Sequence, residues 1–298
     1  MDFEEKILTI NWKKINYKKF NSPDWSQENN FLVLHWWGWS SDSWAEVWKL
    51  LWEKNFNVFI PDLPWHWKTD LTRTFTLDDY WVFVEKFCEE VWLKNFSVIA
   101  HSNWWRIFLN LLNKKIFHQN EKISENFWKS EIEIKEKKEY IEKFLEKNSH
   151  VAKKLQKKFF IEKIFLMWCA WIRPKLNFQQ KVIQAWSKYF PLFKQVSFLR
   201  VIVLKLIWWQ DYLKASKNHH LRQTFLNVLN IDLLDILPNI KEKINLIWWD
   251  QDTYTPLWMW KKMNKLLINS DLDILKWQRH WIHLHAPKKL VTEIISRF

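Results

Sequence analysis

The chain has 298 residues, 48% of them hydrophobic and 27% charged, with a formal net charge of +13, one Gly and 26 Trp. This length can bury a full core, as one large domain or as a core plus a cap. No apolar run reaches the roughly 20 residues that span a bilayer, and two cysteines, Cys88 and Cys169, exclude a disulfide framework and lack metal-ligand spacing.

Residues 6–20 read as a hairpin around Asn11-Trp12. "NFLVLH" (30–35) is a short apolar strand, Ala45 to Leu51 a helix, and "NVFIPD" (57–62) a second strand. Leu77 to Val91 is a helix, "FSVIAH" (96–101) a strand, and Arg106 to Leu112 a helix. Residues 116–158 are rich in Lys and Glu, with apolar residues near helical spacing and pairs such as Glu133/Lys137 and Glu139/Lys143. They read as a solvated helical insertion, with a docking arm as the alternative. "KIFLMWCA" (163–170), "KINLIWWD" (243–250) and "DLDILK" (271–276) are further strands, and Lys288 to Phe298 is a closing helix. Residues 173–238 are helical by pattern and interrupt the alternation where a lid would be inserted. Short apolar strands separated by helices imply an α/β fold with a parallel sheet covered on both faces. The expected division is a core of 1–172 and 239–298 with a helical cap of 173–238.

The N-terminus, "MDFEEKILTI", is acidic and has no signal-peptide pattern, so a cytoplasmic protein is expected. The positive charge has a compositional reading. Lys, Asn, Ile and Phe are all abundant, as in an AT-rich gene, and Lys is interleaved with Glu. No nucleic-acid recognition motif accompanies it, so no nucleic-acid partner is expected.

A chain of average composition and this length carries roughly 20 Gly. Gly reaches φ > 0 in tight turns and at helix ends, and a domain of this size needs it. The surplus Trp stand at such places. Trp12 follows Asn11 where Asn-Gly would close a type I′ turn. Trp52 in "KLLWEKNF" and Trp92 in "EEVWLKNF" stand where a helix stops before a strand, the usual place of a C′ glycine. Trp65 and Trp67 lie in a Pro-rich loop. A gene that reads UGA as glycine, translated with UGA as tryptophan, produces this pattern. Trp44 and one Trp in each of Trp36-Trp37 and Trp248-Trp249 are then genuine. The competing reading, a Trp-rich chain that stacks sugars or bases, needs exposed aromatics on rigid faces rather than rings at turns.

With glycine at 104 and 105, "VIAHSNWW" becomes V-I-A-H-S-N-G-G, a strand–nucleophile–helix turn around Ser102. The turn strains the serine backbone, so Ala100 and position 104 must be small. "LHWWGWSS" becomes L-H-G-W-G-G-S-S, a strand-end loop. By position, the backbone N–H groups of Trp37 and Asn103 form an oxyanion hole, each such donor worth a few kcal/mol in the transition state. "LIWWDQDTYTP" is an acidic loop after a strand, with Asp252 a candidate triad acid and Asp250 the neighbour to be told apart from it. "KWQRHWIHLHAP" places His280 after the last strand. His283 and His285 read as structural or exposed, and His35, His66 and His101 as conformational.

These segments, with "PDLPWHWKTD" and "MWCAWIRP", follow in the order of the α/β-hydrolase superfamily, which the chain resembles over nearly its whole length outside the Lys/Glu insertion. It looks most like the esterase-like and C–C-hydrolase-like members with a helical cap. The order Ser, Asp, His matches that fold. The acid lies two residues after the Gly-Asp of its loop, which selects Asp252, and the histidine seven residues before the Pro of the last helix, which selects His280. The departure is Trp in place of Gly at 36, 39, 65, 67, 104, 105, 168, 171, 249 and 281.

The resemblance implies a serine hydrolase acting on a small-molecule acyl substrate with no metal or organic cofactor. Phe190, Phe193 and Phe198 in the cap make an apolar substrate the expectation. A C–C bond hydrolase or a cofactor-free peroxidase on the same triad is an alternative. A non-catalytic scaffold binding through the insertion is another.

Overall fold

The computed structural model describes residues 3–10, 13–22, 29–35, 40–64, 73–102, 104–113, 160–167, 218–229, 233–252, 255, 257–278 and 281–298. The Lys/Glu insertion and most of the expected cap lie outside them. In chain order the elements are β1 (Phe3–Ile10), β2 (Lys13–Phe20), β3 (Asn30–Leu34), α1 (Ala45–Trp52), β4 (Asn57–Pro61), α2 (Leu77–Glu90) and β5 (Asn95–His101). Then come α3 (104–113), β6 (Phe160–Met167), α4 (His219–Leu229), β7 (Ile244–Trp249), α5 (Leu257–Leu266), β8 (Ser270–Leu275), α6 (Ile282–His285) and α7 (Pro287–Ile295).

The eight strands form one sheet in the order β1-β2-β4-β3-β5-β6-β7-β8. β1 and β2 pair antiparallel with Ile10 opposite Lys13, so two residues close the expected hairpin, and β2 joins β4 antiparallel. Every pairing from β4 to β8 is parallel. Consecutive residues Leu32 and Val33, Val98 and Ile99, and Leu246 and Ile247 are all buried. Side chains alternate faces along a strand, so both faces of the central sheet are covered. Each such side chain contributes about 1.5–3 kcal/mol by leaving water. The edge strand β1 is exposed over most of its length and carries Lys6, which discourages pairing with another chain.

The helices start and stop for local reasons. Thr76 caps α2 in a reciprocal box: its hydroxyl accepts the Asp79 N–H, and the Asp79 carboxylate accepts the Thr76 N–H at 2.8 Å. At the other end Trp92 has φ 59°, its N–H donates to Glu89 O (3.2 Å), and the Leu93 N–H reaches Cys88 O (2.9 Å). That is a Schellman ending with Trp92 at the left-handed C′ position, as the sequence predicted. Trp52 departs from expectation. It is the last residue of α1 and half-buried, its Nε1 donating to Asn21 O at 2.6 Å, and the left-handed residue is Asn55 at φ 63°. Asn is the second choice there after Gly, which is why the stop moves three residues on.

Two helices were not expected from the sequence. α5 packs Met259, Trp260 and Met263 into the core, and the short α6 precedes the closing helix. That closing helix runs over Pro287–Ile295, starting one residue before the expected Lys288 and stopping before Phe298.

Candidate active site

Ser102 stands where β5 ends and α3 begins. It has φ 60°, the left-handed region that a residue with a Cβ occupies at a cost of roughly 1–2 kcal/mol. Its N–H donates to Met167 O at the end of the neighbouring β6 (3.0 Å), and its carbonyl accepts from Trp105 (3.4 Å). The sharp turn is thus pinned to the sheet on one side and to the helix on the other. Trp104 and Trp105 open α3 and are buried, with the Trp104 ring edge-on to Tyr80 at 5.1 Å. The backbone therefore adopts the strained turn with an indole at 104, contrary to the expectation that it needs a small residue there.

Asp252 follows β7 and is buried. Its Oδ1 accepts the Thr255 N–H (2.9 Å) and its Oδ2 the Thr255 hydroxyl (3.0 Å). Asp250 is exposed at the strand end, its N–H donating to Leu275 O at 3.3 Å. Of the two acidic residues, Asp252 is the one whose carboxylate is held by side-chain and backbone donors. Since β6 lies between β5 and β7, Ser102 and Asp252 end strands two spacings apart, about 10 Å between strand axes.

His280, Trp37 and Asn103 lie outside the described residues. The flanks of two of them are informative. Gln251, next to Asp252, donates its N–H to the carbonyl of Gln278 at 3.2 Å, so the acid loop is tied to the segment two residues before His280. The loop of 36–39 begins at the end of β3, the strand paired with β5, with Leu34 opposite Ala100. The strand ends that carry Ser102, Asp252, the 36–39 loop and the 279–280 loop all belong to the C-terminal edge of the parallel sheet, where open α/β sheets bind their ligands.

Among the described residues three other histidines, His35, His101 and His283, are buried. His283 is buried and stacks on Trp44 (5.1 Å between centroids), with the His101 ring edge-on to it at 4.9 Å. His285 is exposed. His35 is buried at the end of β3, and His66 is outside the described residues. Burial, with Glu85 adding to it, pushes the Cys88 thiol far above its ordinary range, so it stays protonated and is no rival nucleophile. Among the described residues no three His, Cys, Asp or Glu side chains converge as metal ligands do, and no helix is long and apolar enough to cross a membrane.

Only α4 and the segment just after it represent the expected cap. Asn218 caps α4 by accepting the His220 and Leu221 N–H groups (2.8 and 3.1 Å). Thr224 then accepts the Phe75 N–H (2.8 Å), and Asn227 donates to the Phe75 carbonyl (2.9 Å). One face of α4 thus satisfies both backbone groups of Phe75, immediately before α2.

No protein-family model matches the sequence, and no curated protein matches it in sequence. Solved structures do match over the whole chain. An esterase from Exiguobacterium antarcticum superposes with a TM-score of 0.61 at 16% identity, covering 98% of this chain and 97% of its own. The thioesterase domain of the curacin biosynthetic pathway gives 0.61 at 13% identity, over 99% and 100%. An α/β-hydrolase enzyme from a Medee basin deep-sea metagenome library gives 0.56 at 14%, over 98% and 96%. The eight-stranded, mostly parallel sheet and these likenesses establish the class: the chain has the α/β-hydrolase fold.

Proposed function

We propose that the protein is a serine hydrolase that cleaves a carboxylic ester or similar acyl substrate. The observation that carries this reading is Ser102 at φ 60° between a buried parallel strand and a helix, with the carboxylate of Asp252 held at the end of β7. Strain of that kind persists where the surrounding structure over-determines it, and it projects the hydroxyl beyond the strand end.

In this reading His280 removes the Ser102 proton as Oγ attacks the acyl carbonyl, then delivers it to the leaving group. Asp252 fixes the imidazole tautomer and stabilises the imidazolium. The backbone N–H groups of Trp37 and Asn103 receive the oxyanion, and water repeats the cycle on the acyl-enzyme. Residues 173–238 form a cap over the site, with α4 as its post on the core and an apolar acyl group as its guest. Replacing Ser102 with Ala tests the assignment. Turnover of a short-chain p-nitrophenyl ester is expected to fall by about 10⁴-fold or more, and unchanged turnover removes Ser102 from the mechanism.

We infer also that most of the tryptophans occupy glycine positions, with UGA as the codon. Trp92 and Trp277 support this: both are left-handed (φ 59° and 62°) and the residues are 80% and 77% exposed. A residue that pays a steric penalty and buries nothing is what a glycine site looks like when filled by something larger. Trp44, 1% exposed and stacked on His283, is the contrasting case. The coding DNA decides between them: UGA at 92, 104, 105 and 277 with UGG at 44 is expected, and UGG throughout overturns the reading.

A further inference from the structure

α2 and α3 both begin at the C-terminal edge of the sheet, since α2 follows β4 and leads to β5, while α3 follows β5. Around their starts three buried rings meet. The Trp104 ring lies edge-on to Tyr80 at 5.1 Å between centroids, and Tyr80 lies edge-on to Phe75, also at 5.1 Å. Phe75 is fixed from its other side, because α4 binds both its N–H and its carbonyl. Ser102, two residues before Trp104, is only 9% exposed, so with an indole at 104 little room is left around its hydroxyl for an acyl group.

Tyr80 carries the feature that points to a ligand. The residue is 1% exposed, and its hydroxyl has no hydrogen-bond partner among the described residues. Burial, with Asp79 adding to it, pushes the phenol far above its ordinary range, so the hydroxyl keeps its proton and remains a donor. The Phe75 ring offers it no acceptor, and the indole N–H of Trp104 is itself a donor. A buried phenol with no partner within the protein takes one from outside it, a ligand or a water molecule. Hydrogen in place of the indole at 104 opens a cavity that runs from two residues beyond Ser102 to the Tyr80 ring.

We propose that this volume is the acyl pocket of the glycine-bearing chain, walled by Tyr80 and Phe75, and that the Tyr80 hydroxyl hydrogen-bonds an oxygen at the far end of a short acyl group. The inference rests on the serine-hydrolase reading and on glycine at 104. An apolar slot with one well-placed polar group is the usual make-up of a small-molecule site, the apolar walls giving affinity and the polar group orientation. A keto oxygen satisfies the phenol, whereas a methyl group in its place leaves the hydroxyl unpaired and is disfavoured.

Two esters differ at that point alone: p-nitrophenyl levulinate has a keto oxygen where p-nitrophenyl isocaproate has a methyl group. Each releases p-nitrophenol on acylation and the free acid when water attacks the acyl-enzyme. In the natural full-length chain kcat/KM is expected to favour levulinate, and Tyr80→Phe is expected to lower that preference by roughly 3- to 15-fold, the worth of one neutral hydrogen bond. A chain differing only in carrying tryptophan at 104 is expected to lose roughly 100-fold on levulinate relative to p-nitrophenyl acetate, as the pocket is filled. Folded Tyr80→Phe protein with an unchanged preference overturns the proposal, even if the chain with the indole does not fold. Equal relative turnover with tryptophan and with glycine at 104 overturns it too and leaves trapped water as the partner of Tyr80, and so does UGG at codon 104. A parent chain that neither turns over the acetate ester nor labels at Ser102 removes the hydrolase reading and this one together; an active parent with no preference for levulinate removes this one alone.

Discussion

At the residue scale the tryptophans divide by what their rings touch. The Trp92 and Trp277 residues are mostly in water on a left-handed backbone, whereas Trp44 packs against the imidazoles of His283 and His101 and Trp248 stacks on Trp260 at 4.2 Å. In chain carrying tryptophan at both positions, Trp92→Gly is expected to raise stability by about 1 kcal/mol, the left-handed penalty relieved. Trp44→Gly is expected to lower it by about 3–5 kcal/mol through the cavity it opens. Urea denaturation of the two variants measures both. Trp92 was legible in the sequence because a helix run ending at Val91 and a strand run beginning at Phe96 left only a short connection, which needs a stop at its start. Trp52 sat in the same local pattern and was misread, because Asn55 beyond it can also take φ > 0 and extends the α1 ending.

At the scale of elements, caps decide boundaries and leave a pH signature. Partial burial draws the Asp79 carboxyl upward, but the Arg73 guanidinium and the two Thr76 donors outweigh it and hold the group below its ordinary value. A carboxyl depressed in the folded state contributes stability that is fully present above the unfolded value, about 3.9, and is lost as pH falls through the folded one. Asp79→Asn is therefore expected to cost about 1 kcal/mol at pH 7 and progressively less as pH drops below about 4. Chemical denaturation at the two pH values checks it, and an equal cost at both contradicts the assignment. The helix α2 could be read from its apolar spacing and Thr76. α5 could not be read as easily: its buried Met259, Trp260 and Met263 sit among Trp258 and three lysines, which blurs the stripe. Pro256, a helix-start signal just before it, was the overlooked clue. Similarly, β6 starts at Phe160, three residues before the expected Lys163, because Phe160-Ile161 is cut off from the apolar run by Glu162-Lys163 and these four residues are exposed or half-buried.

For the whole molecule, the strand order explains why distant segments meet. β3 and β5 are neighbours, β7 lies one strand beyond β5's other partner, and β8 closes the edge, so loops from four separate stretches share one end of the sheet. The fold class was legible because each central strand is a short apolar run that stands out from its surroundings. The place of the Ser102 turn followed from where one of those runs ends, whereas Asp252 was chosen over Asp250 only through the resemblance. The antiparallel entry of β2 onto β4 was not legible, since a hairpin signal says nothing about which strand its second arm will join. The most direct measurement of the central claim is labelling of the folded natural protein with a fluorophosphonate, followed by peptide mapping. One equivalent of label on Ser102, absent from Ser102→Ala, is expected. Folded protein that takes no label, or takes it at another residue, contradicts the assignment of Ser102 as nucleophile.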